Sequence, residues 1–355
     1  MKKRLFWITI FMICILLTGC NKVSGKNNFL DTEDINSEKY IVVGFSQLGA
    51  ESDWRSANTE SMKSTFTNAN GFELIFEDGQ QKQSNQIMAI RTFIQQGVDY
   101  IVLAPVIETG WDTVLQEAKD AGIPVILVDR MVDVKDQSLY TAWVGSDFAL
   151  EGARAGEWIN QFLCNREIDH ANIVNIQGTL GASAQIGRTK GLRDACEANA
   201  NMTLLGEVTG DFTQTKGKEV MVSFLSQYDD INIVYCENDN EAFGVIEAIE
   251  AAGGKTGSDI ENGEIMIVSF DGVKKEALEY IQEDKITCIV ECNPLQGPLV
   301  QDIIMELEGG KDPDKFSYVR EGMYANDDTV SSVVIDGYVY PVTVVTQELL
   351  DKRAY

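Results

Sequence analysis

From Ile41 onward the chain alternates short apolar, β-branched runs with amphipathic stretches, and that cadence narrows the possible folds sharply. Ile41-Val42-Val43-Gly44-Phe45 reads as a buried strand, and Trp54 to Ala69 as a helix with Met62, Phe66 and Ala69 on one stripe. Phe72 to Phe76 is strand-like. Gln83 to Gln96 is helical and stopped by Gly97; Tyr100 to Ala104 is again a strand. The beat restarts at Ala149 and runs to about Val290. Apolar strands separated by helices require parallel sheets covered on both faces, because such strands have no polar side to offer water. The expected class is therefore α/β, with two Rossmann-like, doubly wound lobes. Lobe 1 is expected over residues 40–144 plus 294–342, and lobe 2 over 145–293 plus 343–355. Three crossings, near Gly145, Pro294 and Thr343, would form a hinge.

The first residues do not fit the cadence. Lys2, Lys3 and Arg4 precede the apolar run Leu5 to Leu17, 13 residues where a bilayer span needs about 20. The run ends in Leu17-Thr18-Gly19-Cys20, which resembles the lipobox of bacterial lipoproteins. That resemblance implies a signal peptide over residues 1–19, lipidation at Cys20, and a polar tether over 20–39. An uncleaved anchor helix is the alternative. Either arrangement puts the domain on the extracytoplasmic face of the cell membrane.

Losing the three cations of residues 1–19 takes the formal net charge from −26 to −29. Such a surface repels phosphate backbones and anionic headgroups, which disfavours nucleic acid and peripheral membrane binding. Cys164, Cys196, Cys236, Cys288 and Cys292 remain beyond the lipobox, an odd number without CxxC spacing, and His170 is the sole histidine. No metal site is expected. Cys164 and Cys196 each follow an amphipathic stretch and could bridge, whereas Cys288 and Cys292 read as core.

In open parallel sheets, ligands bind beyond the carboxyl ends of the strands. The residues in those places are Glu51-Ser52-Asp53-Trp54-Arg55, Asp129-Arg130, Asp147, Arg188 beyond Gln177-Gly178-Thr179, Asp211-Phe212, Asn238-Asp239, Asp271, and Glu291 with Asn293. Asp, Asn and Gly at strand ends also shape turns and cap helices, but Trp54, Arg130 and Arg188 do neither. Carboxylates, amides and guanidinium groups pair with the hydroxyls of a sugar, and an aromatic face packs on its C–H face. Trp54, Trp111 and Phe212 are the aromatic candidates, Trp111 fitting a core position equally well.

Val43-Gly44-Phe45-Ser46-Gln47 through Arg55, Glu77-Asp78-Gly79-Gln80-Gln81-Lys82-Gln83, Ala104-Pro105 with Thr109-Gly110-Trp111, Val128-Asp129-Arg130, Gly210-Asp211-Phe212-Thr213, Asn238-Asp239 and Asp271-Gly272-Val273 occur in this order. In this the chain resembles the type 1 periplasmic sugar-binding proteins of carbohydrate ABC transporters, and among them the bacterial galactofuranose receptors, over residues 41 to 300. The resemblance implies a periplasmic binding protein fold and a monosaccharide ligand, galactofuranose or a related sugar. It also implies a permease partner, a monomer, and no cofactor. It carries ligand contacts onto Glu51, Trp54, Arg55, Asp129, Arg130, Arg188, Asp211, Asn238 and Asp271, with Asp147 near the hinge. The relatives' cysteine pair in the second lobe is absent, so no disulfide transfers. The segment Glu291 to Gly297 is shorter than theirs, and an insertion near Val330 to Tyr338 is expected to lie away from the cleft.

Enzyme readings find little support. Gly44-Phe45-Ser46-Gln47-Leu48-Gly49 is one residue too long for a nucleophile elbow, and Gly254-Lys255-Thr256 lacks a phosphate loop's upstream glycine. Spacing alone leaves a glycosidase carboxylate pair open. A sensory receptor speaking to a histidine kinase or chemoreceptor would use the same cleft. A cytoplasmic repressor would need a helix-turn-helix that the chain lacks.

Overall fold

The computed structural model describes residues 40–353 and 355. The expected signal segment, lipidated Cys20 and tether lie outside the described residues. The chain first lays down β1 (Ile41–Gln47), α1 (Asp53–Thr65), β2 (Phe72–Asp78), α2 (Gln83–Gln96), β3 (Tyr100–Leu103), α3 (Asp112–Asp120), β4 (Val125–Val128) and β5 (Ala142–Gly145). A second run follows: α4 (Phe148–Asn165), β6 (Ala171–Gln177), α5 (Ser183–Ala198), β7 (Met202–Thr209), α6 (Gln214–Gln227), β8 (Ile233–Cys236), α7 (Asp239–Ala251), β9 (Met266–Asp271), α8 (Lys274–Gln282) and β10 (Cys288–Glu291). The last part holds α9 (Gly297–Glu308), β11 (Phe316–Tyr318), β12 (Met323–Ala325), β13 (Ser332–Ile335), β14 (Tyr338–Pro341), β15 (Thr343–Val344) and α10 (Gln347–Lys352).

These strands form two sheets of order β11-β5-β4-β3-β1-β2 and β15-β12-β10-β9-β8-β6-β7, plus the hairpin β13–β14. Both sheets are parallel except where β12 runs antiparallel to β10. The period-2 rule explains why the strands are apolar throughout. In β3, Ile101 and Leu103 face the core under α2 and α3, while Tyr100 and Val102 face the one under α1 and α9. Helix starts are set locally: the side chains of Ser52, Asp147, Thr213 and Asn238 each accept a first-turn backbone N–H. The α/β class and paired sheets agree with the sequence reading.

One boundary does not. The chain passes between the sheets after β5, after β10, and a third time between Tyr318 and Met323, rather than near Thr343. The reason is burial. Met323 and Ala325 enter one core of the second sheet and Tyr324 the other, so β12 is covered on both faces and must sit inside that sheet. The hairpin follows it, with Val333 packed in the same core as Met323. Residues 323–342 therefore belong to the second lobe. Nor does a Cys164–Cys196 bridge form; all five described cysteines are free thiols.

Helices α4 and α5 approach through glycine. A Cβ on Gly191 would lie 2.1 Å from the carbonyl carbon of Gly152, and one on Gly152 would lie 2.6 Å from the Gly187 carbonyl oxygen. Backbone cannot yield as a side chain can. Gly191→Ala is expected to lower unfolding free energy by about 1–3 kcal/mol, the usual cost of overpacking. Denaturant unfolding would register this as an earlier midpoint at unchanged slope, and an unchanged midpoint would refute the tight crossing.

Candidate ligand-binding cleft

The loops after the strands' carboxyl ends converge on one pocket, which the first lobe furnishes with six residues, Ser52 among them. Ser52 caps α1 by accepting the Arg55 N–H at 3.1 Å, and this first turn sets Glu51, Trp54 and Arg55 on the pocket wall. Asp129 and Arg130 follow β4. The second lobe contributes Phe148, Arg188, Phe212, Asn238, Asp271 and Cys292. The walls close on about 270 Å³ of empty space, solvent at the mouth included. So small a space admits no more than a single small ring.

Two charge networks build the polar walls. Arg55 donates through Nε to Glu51 Oε1 at 3.1 Å and through Nη2 to Asp129 Oδ2 at 2.6 Å. Arg130 donates to the Val106 carbonyl at 2.7 Å and reaches Glu51 Oε1 at 3.5 Å. Across the cleft, Arg188 donates to Glu151 Oε2 at 2.7 Å, to Asp271 Oδ1 at 3.1 Å and to the Glu237 carbonyl. Aromatic rings lie against these cations: Trp54 at 4.6 Å from the Arg55 guanidinium, Phe212 at 5.2 Å from Arg130, Phe148 at 5.6 Å from Arg188. Two buried polar atoms in the first network, Glu51 Oε2 and Arg55 Nη1, have no hydrogen-bond partner. An acceptor and a donor held dry are ready for the hydroxyls of a ligand.

Backbone strain helps to hold this geometry. Asp129, Phe212 and Asp271 have φ of +62°, +62° and +93°, in a region that costs a non-glycine residue of order 1–3 kcal/mol. Gly178 is needed for a related reason, since any Cβ there would fall 1.9 Å from the Phe212 ring.

Charge burial shows in the proton affinities. Burial, and then the neighbouring Arg55, lower Arg130 to about 10. Burial would also lower Arg55, but Asp129 and Glu51 outweigh it and hold it above its ordinary value. Burial raises Asp271 to about 7 against the pull of Arg188. Behind Arg188, burial raises Glu237 to about 7 although Thr189 Oγ1, the Gly178 N–H at 2.9 Å and Asn175 Nδ2 at 3.3 Å all donate to it.

Eight of the ten residues singled out from sequence line this pocket: Glu51, Trp54, Arg55, Asp129, Arg130, Arg188, Asn238 and Asp271. Two do not. Asp147 caps α4, accepting the Leu150 N–H at 3.0 Å, and borders a separate groove. Asp211 is taken by Thr209 Oγ1 and Lys216, while its neighbour Phe212 enters the pocket. Both act in the local capping and turn roles open to any strand-end Asp. Trp111 is core, donating to the Ile107 carbonyl at 2.7 Å. Asn293 and Gln296 are structural: Asn293 accepts the Leu295 N–H, and Gln296 accepts from Asn58. Sequence reasoning missed Phe148 and Cys292, and also Glu151 behind them. A strand-end search for polar residues passes over the first two. Glu151 had a readable signal, a carboxylate on the apolar face of α4, where only a buried cation can keep it.

Paired parallel α/β lobes with one polar, aromatic-walled pocket at their facing strand ends define a two-lobed solute receptor. Residues 43–312 match the family described as periplasmic binding protein domain, and the chain belongs to that family. It is 42% identical to the galactofuranose-binding protein YtfQ of Escherichia coli (strain K12), over 81% of this chain and 88% of that one. A Mycobacterium smegmatis protein solved in complex with beta-D-fucofuranose superposes with TM-score 0.76 at 42% identity, covering 81% of this chain and 92% of that one. The binding component of the arabinose ABC transporter from Shewanella sp. ANA-3, bound to alpha and beta-L-arabinofuranose, gives 0.74 at 40% identity, with 81% and 93% covered. Family membership puts the folded domain outside the cytoplasm.

Glu237 yields a pH test. With its pKa raised from 4.5 to about 7, the folded state holds a proton that the unfolded state releases across that window. Its contribution to stability is full below the unfolded value and is lost as pH rises through about 7. Glu237→Gln should flatten the fall in unfolding free energy between pH 4.5 and 7 by up to about 1.4 kcal/mol per pH unit. Equal slopes for the two proteins in denaturant titrations would contradict the buried neutral carboxyl.

Proposed function

We propose that this protein captures a monosaccharide in its furanose ring form, galactofuranose or a close relative, between its lobes. It then delivers the sugar to an ABC transporter permease from a lipid anchor at Cys20. The observation that carries the reading is the pair of unpartnered buried atoms, Glu51 Oε2 and Arg55 Nη1, beside Trp54, Phe148 and Phe212. A ring bearing hydroxyls on its edge and C–H groups on its faces satisfies both kinds of wall at once. A ligand lacking a hydroxyl would leave a buried partner unpaired, which makes such a site selective. Ring form is supported by the furanose ligands of two relatives in the 40% identity range.

Mechanistically, the sugar touches both lobes only when they are closed, so it draws the population toward the closed form, and the permease reads that form. The same carboxylates that would serve a glycosidase are here tied to arginines: Asp129 to Arg55, Asp271 to Arg188.

Calorimetric titration with methyl galactosides locked as furanose or as pyranose tests ring form: the furanoside should bind and the pyranoside give no heat. Trp54→Ala and Arg130→Ala should each weaken furanoside binding at least about tenfold, or about 1.4 kcal/mol, with the fold intact by circular dichroism. Unchanged affinity in both would retire the pocket. For the anchor, Cys20→Ala should move the protein from the membrane fraction to the soluble one; persistence in the membrane would argue for an uncleaved helix.

A further inference from the structure

A pocket for one small ring leaves most of the mouth to contact between protein and protein, and such contacts occur at two places. At the first, the N-termini of α1 and α7 meet across the cleft. The Asp53 backbone N–H donates to Asn240 Oδ1 at 2.9 Å, and Asn240 Nδ2 donates back to Asp53 Oδ2 at 3.2 Å. At the second, the start of α5 meets the loops after β3 and β4. The Met131 N–H donates to Ser183 Oγ at 3.0 Å, and the Glu108 N–H to the Gly181 carbonyl at 3.1 Å. None of these six residues lines the pocket.

We propose that the reciprocal Asp53–Asn240 pair is a latch that sets how much of the protein is closed before ligand arrives, and thereby sets affinity without touching the ligand. Two helix N-termini brought head to head each carry about half a positive charge and repel. The Asp53 carboxylate opens α1 and faces the first turn of α7, so it offsets that repulsion while Asn240 supplies the matching donor. The geometry is directional: these two bonds form together only when the two helix starts are in register. Affinity scales with the closed fraction, since the observed dissociation constant is the intrinsic one divided by that fraction. Asn240 is thus a positioning residue.

The proposal rests on the lobe-closing reading above but not on the identity of the sugar. Its test uses the full chain with Cys14→Ser, Cys20→Ser and Cys196→Ser, spin-labelled at the exposed Cys164 of the second lobe and at Met88→Cys, which replaces an exposed residue on α2 of the first. Pulsed dipolar distances are read without ligand. The unlatched protein is Asn240→Asp, which sets two carboxylates face to face, with Asn240→Ala as a second variant. Asp53→Asn/Asn240→Asp restores donor to acceptor in the opposite sense. The parent protein should show a measurable short-distance population beside a longer one. Both single variants should shift weight to the longer one, and the double exchange should bring the short one back. With methyl galactofuranoside at saturation, Asn240→Asp should reach the parent's short distance, with a dissociation constant about tenfold weaker. A ligand-free parent already as open as Asn240→Asp would overturn the latch, as would a double exchange that fails to restore closure. If the furanoside closes none of the proteins while the ligand-free distances behave as stated, the sugar assignment fails and the latch stands.

Discussion

The cleft depends on the pairing of buried charge. Arg55, Arg130 and Arg188 are each at most 3% exposed, and a lone guanidinium could not stay charged there. Carboxylates hold each of them: Glu51, four residues away, and the distant Asp129 pair with Arg55 and lie beside Arg130, while Glu151 and Asp271 hold Arg188. The pairing costs desolvation that the ion pairs recover only in good geometry. The network is therefore better understood as a frame than as a source of stability. It fixes the directions of donors and acceptors before a ligand arrives, which lowers the ordering that binding must supply.

Much of the fold was legible because burial on both faces of a parallel sheet leaves an unmistakable trace, short continuous apolar runs at regular intervals. The apolar runs from Pro124 to Val128 and from Ile231 to Tyr235 read as strands, and the strands Val125–Val128 and Ile233–Cys236 are buried throughout. Where the trace fades, the reading slipped. Phe316–Tyr318 is an edge strand with Tyr318 mostly exposed, and Met323–Ala325 has only three residues. Neither carries enough pattern to show which sheet it joins, and the third crossing was misplaced by about twenty residues.

The cleft was legible to the extent that its residues are expensive elsewhere. An arginine or tryptophan beyond a strand end has no capping use, so Arg130, Arg188 and Trp54 pointed to the pocket. Aspartate is ambiguous in sequence because it is equally at home in turns. Asp129 and Asp271 face the pocket while Asp147 and Asp211 serve their own loops, and only long-range packing separates the two pairs. Phe148 and Cys292 were invisible for the opposite reason: an apolar residue next to a strand looks like core until the first lobe is placed over it.

The segments that join the lobes are bonded to one another. Ser146, just past the first crossing, and the Asn293 N–H, at the second, both donate to Glu321, which lies on the third. A single carboxyl thus ties all three crossings. Arg154 stands 3.9 Å from it, and Glu151 and Cys292 offer ligand atoms within 4.8 Å of its own. Burial first, and Glu151 next, raise the pKa of Glu321, while burial raises Glu151 despite Arg188. Burial thus favours the protonated form of both carboxyls, and their mutual repulsion adds to this at Glu321, while Arg188 and Arg154 pull the other way. Glu151 also holds Arg188 on the pocket wall. Hinge and ligand wall therefore share one residue. Any rotation of the lobes that disturbs Glu321 acts on Glu151, and through it on the guanidinium that meets the ligand.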